Sequence, residues 1–139
     1  MKKMLPVLLA ALVGLASCSK SVDGPKPAAA QLAGTWSLDA ERYVTTPTNG
    51  GATTTTDNKY ITPGETKVTY STNGTYEVTT KGAANGSGTY TFSGNTIAFT
   101  SGGKTATRTV PEFTNNRLVL VQTVDDASYH TTITDTYNR

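Results

Sequence analysis

The chain has 139 residues, of which 36% are hydrophobic and 16% charged, with 12 Lys and Arg against 10 Asp and Glu. One Cys and one His argue against a zinc enzyme or a disulfide scaffold, and the near-neutral charge argues against an electrostatic nucleic-acid binder. Threonine accounts for 28 residues, which favours strands over helices, and the length suits a single domain after a leader.

Residues 1–17 have the pattern of a secretory leader. A basic pair precedes an apolar run over residues 4–15, which is too short for a membrane-spanning helix. Leu15-Ala16-Ser17-Cys18 resembles the bacterial lipobox, and the resemblance implies acylation of Cys18 after cleavage in front of it. We predict a lipoprotein signal peptide and a lipid anchor at Cys18; an ordinary secretory peptide with a buried thiol is the alternative.

The residues after Cys18 indicate destination and linker. Ser19 is similar to the residue found there in lipoproteins passed to the outer membrane, so the resemblance implies a lipid-anchored protein of the bacterial envelope. Loss of the leader's two lysines leaves 10 basic and 10 acidic side chains, and no polybasic stretch remains for anionic lipid. Residues 18–30 contain glycine, prolines and alanines without an apolar period, which is typical of a linker. The predicted domain covers residues 31–139.

Within that domain, apolar residues recur at every second position and turn-forming clusters interrupt them about every ten residues. The pattern predicts eight strands, beginning at Trp36 and ending with residues 129–139. Five turn clusters separate the later strands: Thr72-Asn73-Gly74, Ser93-Gly94-Asn95, Ser101-Gly102-Gly103, Asn115-Asn116 and Asp125-Asp126-Ala127-Ser128. Asn-Gly is typical of a type I′ hairpin turn, in which both central residues have positive φ.

A long polar connection, residues 45–65, separates the first two predicted strands and is rich in threonine. Loops of this length without their own structure are uncommon and are often functional or disordered. We predict a mobile polar flap; a lid over one end of the domain is the alternative.

Sequential strands with short turns favour a closed sheet. Eight antiparallel strands would leave two exposed edges, and curling into a barrel removes both. A two-sheet sandwich usually needs long crossovers, and only one connection here is long. We therefore predict an all-β, eight-stranded antiparallel up-and-down β-barrel, with a β-sandwich as the alternative.

Motifs at both ends of the domain resemble those of lipocalin-like proteins. Leu32-Ala33-Gly34-Thr35-Trp36 is similar to the Gly-x-Trp opening of that family, and Tyr137-Asn138-Arg139 is similar to its last strand, whose Arg lies across the Trp. The resemblance implies a lipocalin-like barrel with Gly34, Trp36 and Arg139 as its motif, and binding of a small ligand. Stacking of guanidinium on indole stabilises by about 0.5–2 kcal/mol, so we expect this contact at the barrel floor. A solvated Arg139 is the alternative.

The alternation also predicts which side chains face the interior. The inward set is Trp36, Leu38, Val68, Tyr70, Tyr76, Val78, Tyr90, Phe92, Ile97, Phe99, Leu118, Leu120, Ile133 and Tyr137. Eight strands enclose space for side chains or for one small ligand. The number of aromatic residues favours a filled interior over a roomy cup.

The same parity places Arg42, Arg108 and Asp135 with the inward residues. Buried charges need partners, so Arg108 and Asp135 either pair inside the barrel, meet a ligand, or are turned into solvent by β-bulges. We expect both in solvent or at the rim of the barrel.

No hydrolase, zinc-peptidase or phosphate-loop motif is present in the sequence, and His130 is expected to be an exposed strand residue. We predict no enzymatic activity, cofactor, metal site or nucleic-acid partner. The leading hypothesis is a membrane-anchored module that binds a small apolar or amphipathic ligand at the open barrel end. The predicted cup residues are Tyr70, Tyr76, Tyr90, Phe99, Arg108 and Asp135. The alternative is an envelope interaction or structural protein, such as an inhibitor, that engages another protein through its threonine-rich strands or residues 45–65.

Overall fold

The computed structural model describes residues 29–139, in which nine antiparallel strands form one continuous sheet. The elements are α1 (Ala29–Leu32), β1 (Gly34–Pro47), β2 (Thr54–Asp57), β3 (Thr66–Tyr70), β4 (Thr75–Thr80), β5 (Ala83–Ser93), β6 (Thr96–Ser101), β7 (Lys104–Phe113), β8 (Arg117–Asp125) and β9 (Tyr129–Asn138). Consecutive strands from β3 to β9 pair with one another, and β1 pairs with both β3 and β9. The sheet therefore closes, which confirms the predicted up-and-down barrel; the sandwich alternative is wrong.

The predicted signal peptide, Cys18 and most of the predicted linker lie outside the described residues. The last two residues of the predicted linker begin α1, a helix of four residues that leads into β1 at one end of the barrel. Across residues 29–139, helices with the length and apolarity needed to cross a membrane are absent.

The threonine-rich connection contains a strand that the sequence pattern did not predict, so part of the predicted flap is paired in the sheet. β2 runs antiparallel to the upper part of β1, with Thr54 opposite Thr45 and Asp57 opposite Arg42. β3 pairs with the lower part of the same edge of β1, while β9 occupies the other edge. β2 is thus an extra strand lying end to end with β3, and residues 58–65 leave the wall between them. Threonine is β-branched and suits this extended pairing.

The Asn73-Gly74 hairpin forms, but its turn is not type I′. Gly74 has a φ of 82°, whereas Asn73 is not in the left-handed region and instead accepts a hydrogen bond from the Thr75 amide at 3.1 Å. Two-residue turns with positive φ at both positions occur at Lys81-Gly82 and Gly102-Gly103. These turns lie at the end of the barrel away from α1, which we call the mouth. The Asn73 side chain closes its turn in place of a second left-handed residue.

The core fills the half of the barrel next to α1, which we call the floor. Eleven buried residues form it: Leu32, Trp36, Leu38, Val68, Tyr70, Tyr90, Ile97, Val110, Leu118, Leu120 and Tyr137. All but Leu32 and Val110 belong to the predicted inward set. Leu32 was missed because it comes from α1, which has no apolar period of its own.

The pairing of β1 with β9 shifts by one residue across positions 38–40. Beyond this bulge Glu41 lies opposite Asp135, while Arg42 faces outward and donates from Nε to Oδ1 of Asp57 at 2.6 Å. The expected inward position of Arg42 is therefore wrong, because a bulge moves every later side chain to the other face of the sheet.

Candidate functional site

The barrel floor is closed by Trp36, Arg139 and the carbonyl end of α1. The guanidinium carbon of Arg139 lies 4.1 Å from the centre of the Trp36 ring system, which is the contact expected from the sequence. Nη2 of Arg139 donates to the carbonyl oxygens of residues 31–33, at 3.1, 3.1 and 2.6 Å, and the Trp36 indole donates to the Leu32 carbonyl at 2.8 Å. The guanidinium thus stacks on the ring and caps the short helix at once.

Gly34 gives this arrangement its space. Its φ is 122°, and a Cβ at this position would lie 3.3 Å from Nη2 of Arg139. Glycine adopts such backbone angles without the steric cost that other residues have. The three motif residues Gly34, Trp36 and Arg139 therefore close one end of the barrel, and they do not line the cavity at the other end.

A cavity of about 270 Å³, which we call the cup, lies above the core and opens toward the mouth. Its lining residues are Val68, Tyr70, Tyr76, Val78, Phe99, Ala106, Arg108, Leu120 and Tyr137. Tyr76 and Phe99 meet edge to face with ring centres 5.3 Å apart, and Tyr70 lies 6.2 Å from Phe99. The filled interior that the sequence favours is therefore found at the floor only.

Gly88 of β5 makes room for one wall of the cup. It lies opposite Tyr76 across β4 and β5. A Cβ at Gly88 would lie 2.9 Å from Cε1 of Tyr76 and would overlap the carbonyl oxygen of Thr100. Sequence reasoning missed this residue, although a glycine inside a strand is a known signal of close backbone approach.

Arg108 reaches the cup from β7 and forms an ion pair with Asp135 of β9, Nη1 donating to Oδ2. The side chain of Asp135 is 6% exposed and that of Arg108 is 25% exposed, so the guanidinium faces the cup and the carboxylate lies behind it. The expectation that bulges turn both into solvent is wrong. The registers of β6 with β7 and of β8 with β9 run unbroken through these two positions.

Four of the six predicted cup residues line the cavity: Tyr70, Tyr76, Phe99 and Arg108. Tyr90 does not line it, because its ring packs on the far side of Tyr70 and its hydroxyl donates to the Ser71 carbonyl at 2.9 Å near the floor. Asp135 touches Arg108 instead of the cavity. Tyr137 also lines the cup, although the sequence pattern assigned it only to the inward set. The small and aliphatic lining residues were missed as site residues because they carry no chemical signature in a sequence.

Glu41 adds a second carboxyl group behind the ion pair. It lies opposite Asp135 on the neighbouring strand. Oε1 of Glu41 and Oδ1 of Asp135 are both buried and have no hydrogen-bond partner within residues 29–139. Burial, and next the negative charge of Asp135, raises the pKa of Glu41 above its usual value.

The phenol groups around this cluster remain neutral. Burial is the largest cause that raises the pKa of Tyr43 to about 12, and the charge of Glu41 adds to it. Burial likewise moves the pKa of Tyr70 and of Tyr137 well above the usual range. Neutral phenols and a guanidinium offer hydrogen-bond donors, so the polar groups that line the cup suit an acceptor.

Other polar groups at the mouth form surface contacts. His130 is exposed on β9 and contacts Asp125 of β8. In the part of the chain that the structure describes, three or more His, Cys, Asp or Glu side chains nowhere come together as a metal site.

Comparison with protein-family models matches residues 32–120 to the lipocalin-like domain. The matched range begins with the last residue of α1 and ends at Leu120 in the wall of the cup. It covers more than half of the chain. Searches of curated proteins and of solved structures give no match.

Proposed function

Because this chain belongs to the lipocalin-like domain family, we propose that it binds one compact amphipathic molecule in the cup. The observation that carries the proposal is the cup itself, which combines an aromatic and aliphatic wall with a single guanidinium. Binding pockets for small molecules typically pair an apolar lining with a few polar groups that orient the ligand.

The volume of the cup limits the size of the ligand. Benzene fits a cavity of about 150 Å³, and drug-sized ligands occupy about 300–1,000 Å³. A cup of about 270 Å³ lies between these values. It suits a single ring with a short side chain, or a short alkyl chain.

Arg108 supports an anionic or strongly accepting head group. Within the described residues its guanidinium makes one protein hydrogen bond, from Nη1 to Asp135, and the side chain lines the cup. The hydroxyl of Tyr70 is a further donor, whereas that of Tyr137 neighbours Asp135. A carboxylate or sulfonate matches these donors, and charge-assisted hydrogen bonds of this kind are the strong ones. The apolar body of the ligand then lies between the rings of Tyr76 and Phe99.

Calorimetric titration with octanesulfonate tests this proposal. Ala106→Phe places a ring in the cup from β7, whereas Ala98→Phe places the same ring on the outer face of the neighbouring strand β6. We expect the wild type and Ala98→Phe to bind with similar Kd, and Ala106→Phe to bind at least about tenfold more weakly, which corresponds to 1.4 kcal/mol. Equal binding by all three folded proteins, or none by the wild type, contradicts the proposal.

We also propose that a lipid on Cys18 anchors the domain in the outer membrane of a bacterial envelope. The support is the sequence Leu15-Ala16-Ser17-Cys18 behind an apolar run. Several acyl chains, at about 0.8 kcal/mol per buried CH₂, hold a small domain on a bilayer. Cys18→Ala should move the protein to the soluble fraction after membrane separation, while Ser19→Ala should remain with the membrane. Unchanged fractionation of Cys18→Ala contradicts the anchor.

A further inference from the structure

Three ionisable side chains meet beside the cup, and two of them are carboxyl groups. Arg108 contributes one positive charge, and Asp135 and Glu41 contribute two carboxyl groups. The other titratable groups that face this cluster are phenols of β1, the 58–65 segment, β3 and β9: Tyr43, Tyr60, Tyr70 and Tyr137. On β8, the residue opposite Asp135 is the apolar Leu120. The cluster therefore contains two carboxyl groups for one guanidinium.

We propose that Glu41 and Asp135 share one proton, and that this proton makes the cup bind an anionic ligand more tightly as the pH falls. The inference rests on the proposed function for its ligand, and on the carboxyl pair for its proton.

The positions of the two carboxyl groups favour a shared proton. Residues directly opposite on antiparallel strands have Cβ atoms about 4.5–5.5 Å apart, and two ionised carboxylates at that range repel in a poorly solvated interior. Oε1 of Glu41 and Oδ1 of Asp135 are buried beyond the reach of water and lack partners within residues 29–139. The proposed O–H between the two groups gives each of these oxygens a partner. Glu41 carries it, because Asp135 has Arg108 as its counter-ion.

The proton changes the charge behind the ligand. With Glu41 protonated, Arg108 and Asp135 cancel and the guanidinium's outer edge attracts an anion. With Glu41 ionised, the cluster has a net charge of −1 and opposes an anion in the cup. Because burial raises the pKa of Glu41 above its usual value near 4.5, the change falls at a higher pH than that of an ordinary glutamate.

Octanesulfonate is the probe, because its sulfonate stays ionised and does not titrate itself. Calorimetry from about pH 5 to about pH 8 should show the wild-type Kd rising with pH by about tenfold, within the usual range of coupling between two sites. Glu41→Gln should bind at every pH with the wild type's low-pH affinity. Glu77→Gln, which changes an exposed carboxyl on the outer face of β4, should keep the wild-type slope. A flat wild-type profile, or a slope retained by Glu41→Gln, overturns the inference.

A titration of the free protein separates this inference from the proposed function. Carbon-13 NMR of the side-chain carboxyl groups should show Glu41 changing at a higher pH than an ordinary glutamate. Titration of Glu41 at the ordinary value overturns the shared proton whether or not a ligand binds. A raised titration without octanesulfonate binding at any pH overturns the proposed function, and with it the ligand half of this inference, while the carboxyl pair stands.

Discussion

At the scale of single residues, Arg139 connects the end of β9 to the start of the barrel. It stacks on Trp36 and donates to three carbonyl oxygens at the end of α1. We expect Arg139→Ala to lower the free energy of unfolding by about 1–3 kcal/mol, because both interactions are lost. Urea denaturation measures the change.

Arg117→Ala is the matched control for that substitution. Arg117 pairs with Glu112 at 3.0 Å, but both side chains are almost half exposed. Exposed ion pairs contribute about 0–1 kcal/mol, so this change should be small. Equal losses of unfolding free energy in the two variants would mean that the contacts of Arg139 contribute no more to stability than an exposed ion pair does.

Gly88 and Gly86 lie two positions apart in β5 and should respond differently to the same added methyl group. A Cβ at Gly88 would overlap the Thr100 carbonyl oxygen, whereas a Cβ at Gly86 meets no atom within 4 Å. Overpacking typically costs about 1–3 kcal/mol, so Gly88→Ala should melt at a lower temperature than the wild type and Gly86→Ala close to it. Similar melting temperatures for the two variants would show that the packing of Tyr76 does not depend on the absence of a side chain at Gly88.

At the scale of elements, Asn58 decides where β2 ends. Its φ is 50°, its amide donates to the Glu41 carbonyl at 2.7 Å, and its Oδ1 accepts from the Glu41 amide at 2.8 Å. Asn58→Ala removes the side-chain acceptor and adds strain at a positive φ. We expect hydrogen exchange of the β2 amides to become faster, while exchange in β5–β8 is unchanged.

Asn58→Gly provides the comparison, since glycine tolerates the φ but also lacks the acceptor. Exchange rates between those of the wild type and Asn58→Ala are expected. Wild-type exchange in Asn58→Ala would mean that the threonines of β2 hold the strand by their backbone pairing alone.

The course of the strands was predictable where side-chain alternation and turn chemistry agree. From β3 onward, short hairpins keep the parity over most of each strand, and most of the core follows from it. The exceptions are register shifts after Val78 in the β4–β5 pairing and between Thr109 and Glu112 in the β7–β8 pairing. The shift in β7 has a sequence signal, because Pro111 cannot donate a hydrogen bond and lies where the pairing with β8 becomes irregular. The shift near Asp39 has no comparable signal, so Glu41 was absent from the predicted interior.

The candidate site was predictable for its aromatic wall and for the presence of Arg108, but not for its electrostatics. Asp135 and Arg108 share the inward parity in the sequence, yet their pairing depends on β7 and β9 lying on either side of β8, with the two side chains meeting on its inner face. Buried charges are rare enough that solvent exposure is the better prediction from sequence alone. The strand order β7–β8–β9 supplies the partner that makes burial tolerable.

At the scale of the whole molecule, closure depends on β1. This strand pairs with β2 and β3 along one edge and with β9 along the other, and its bulge directs Glu41 inward to the position opposite Asp135. Barrel closure and the carboxyl pair therefore have the same origin. A consequence is that the stability of the entire fold should depend on the proton that Glu41 holds.

The sign of that dependence follows from the direction of the pKa shift. Burial, then the charge of Asp135, raises the pKa of Glu41 in the folded state above the usual value near 4.5. The folded state therefore binds the proton more tightly than the unfolded chain does. The stabilisation is fully present below the unfolded value and is lost as the pH rises through the folded value. The Glu41→Gln side chain is neutral at every pH, so this variant does not lose the stabilisation as the pH rises.

We therefore expect the difference in free energy of unfolding, Glu41→Gln minus wild type, to become more positive between about pH 4 and about pH 8. Urea denaturation of both proteins at each pH measures it, and the subtraction removes the titration of all other groups that the two proteins share. Glu77→Gln, on the outer face of β4, should show no such trend. A difference for Glu41→Gln that is constant with pH would mean that the carboxyl is solvated in the folded barrel as it is in the unfolded chain.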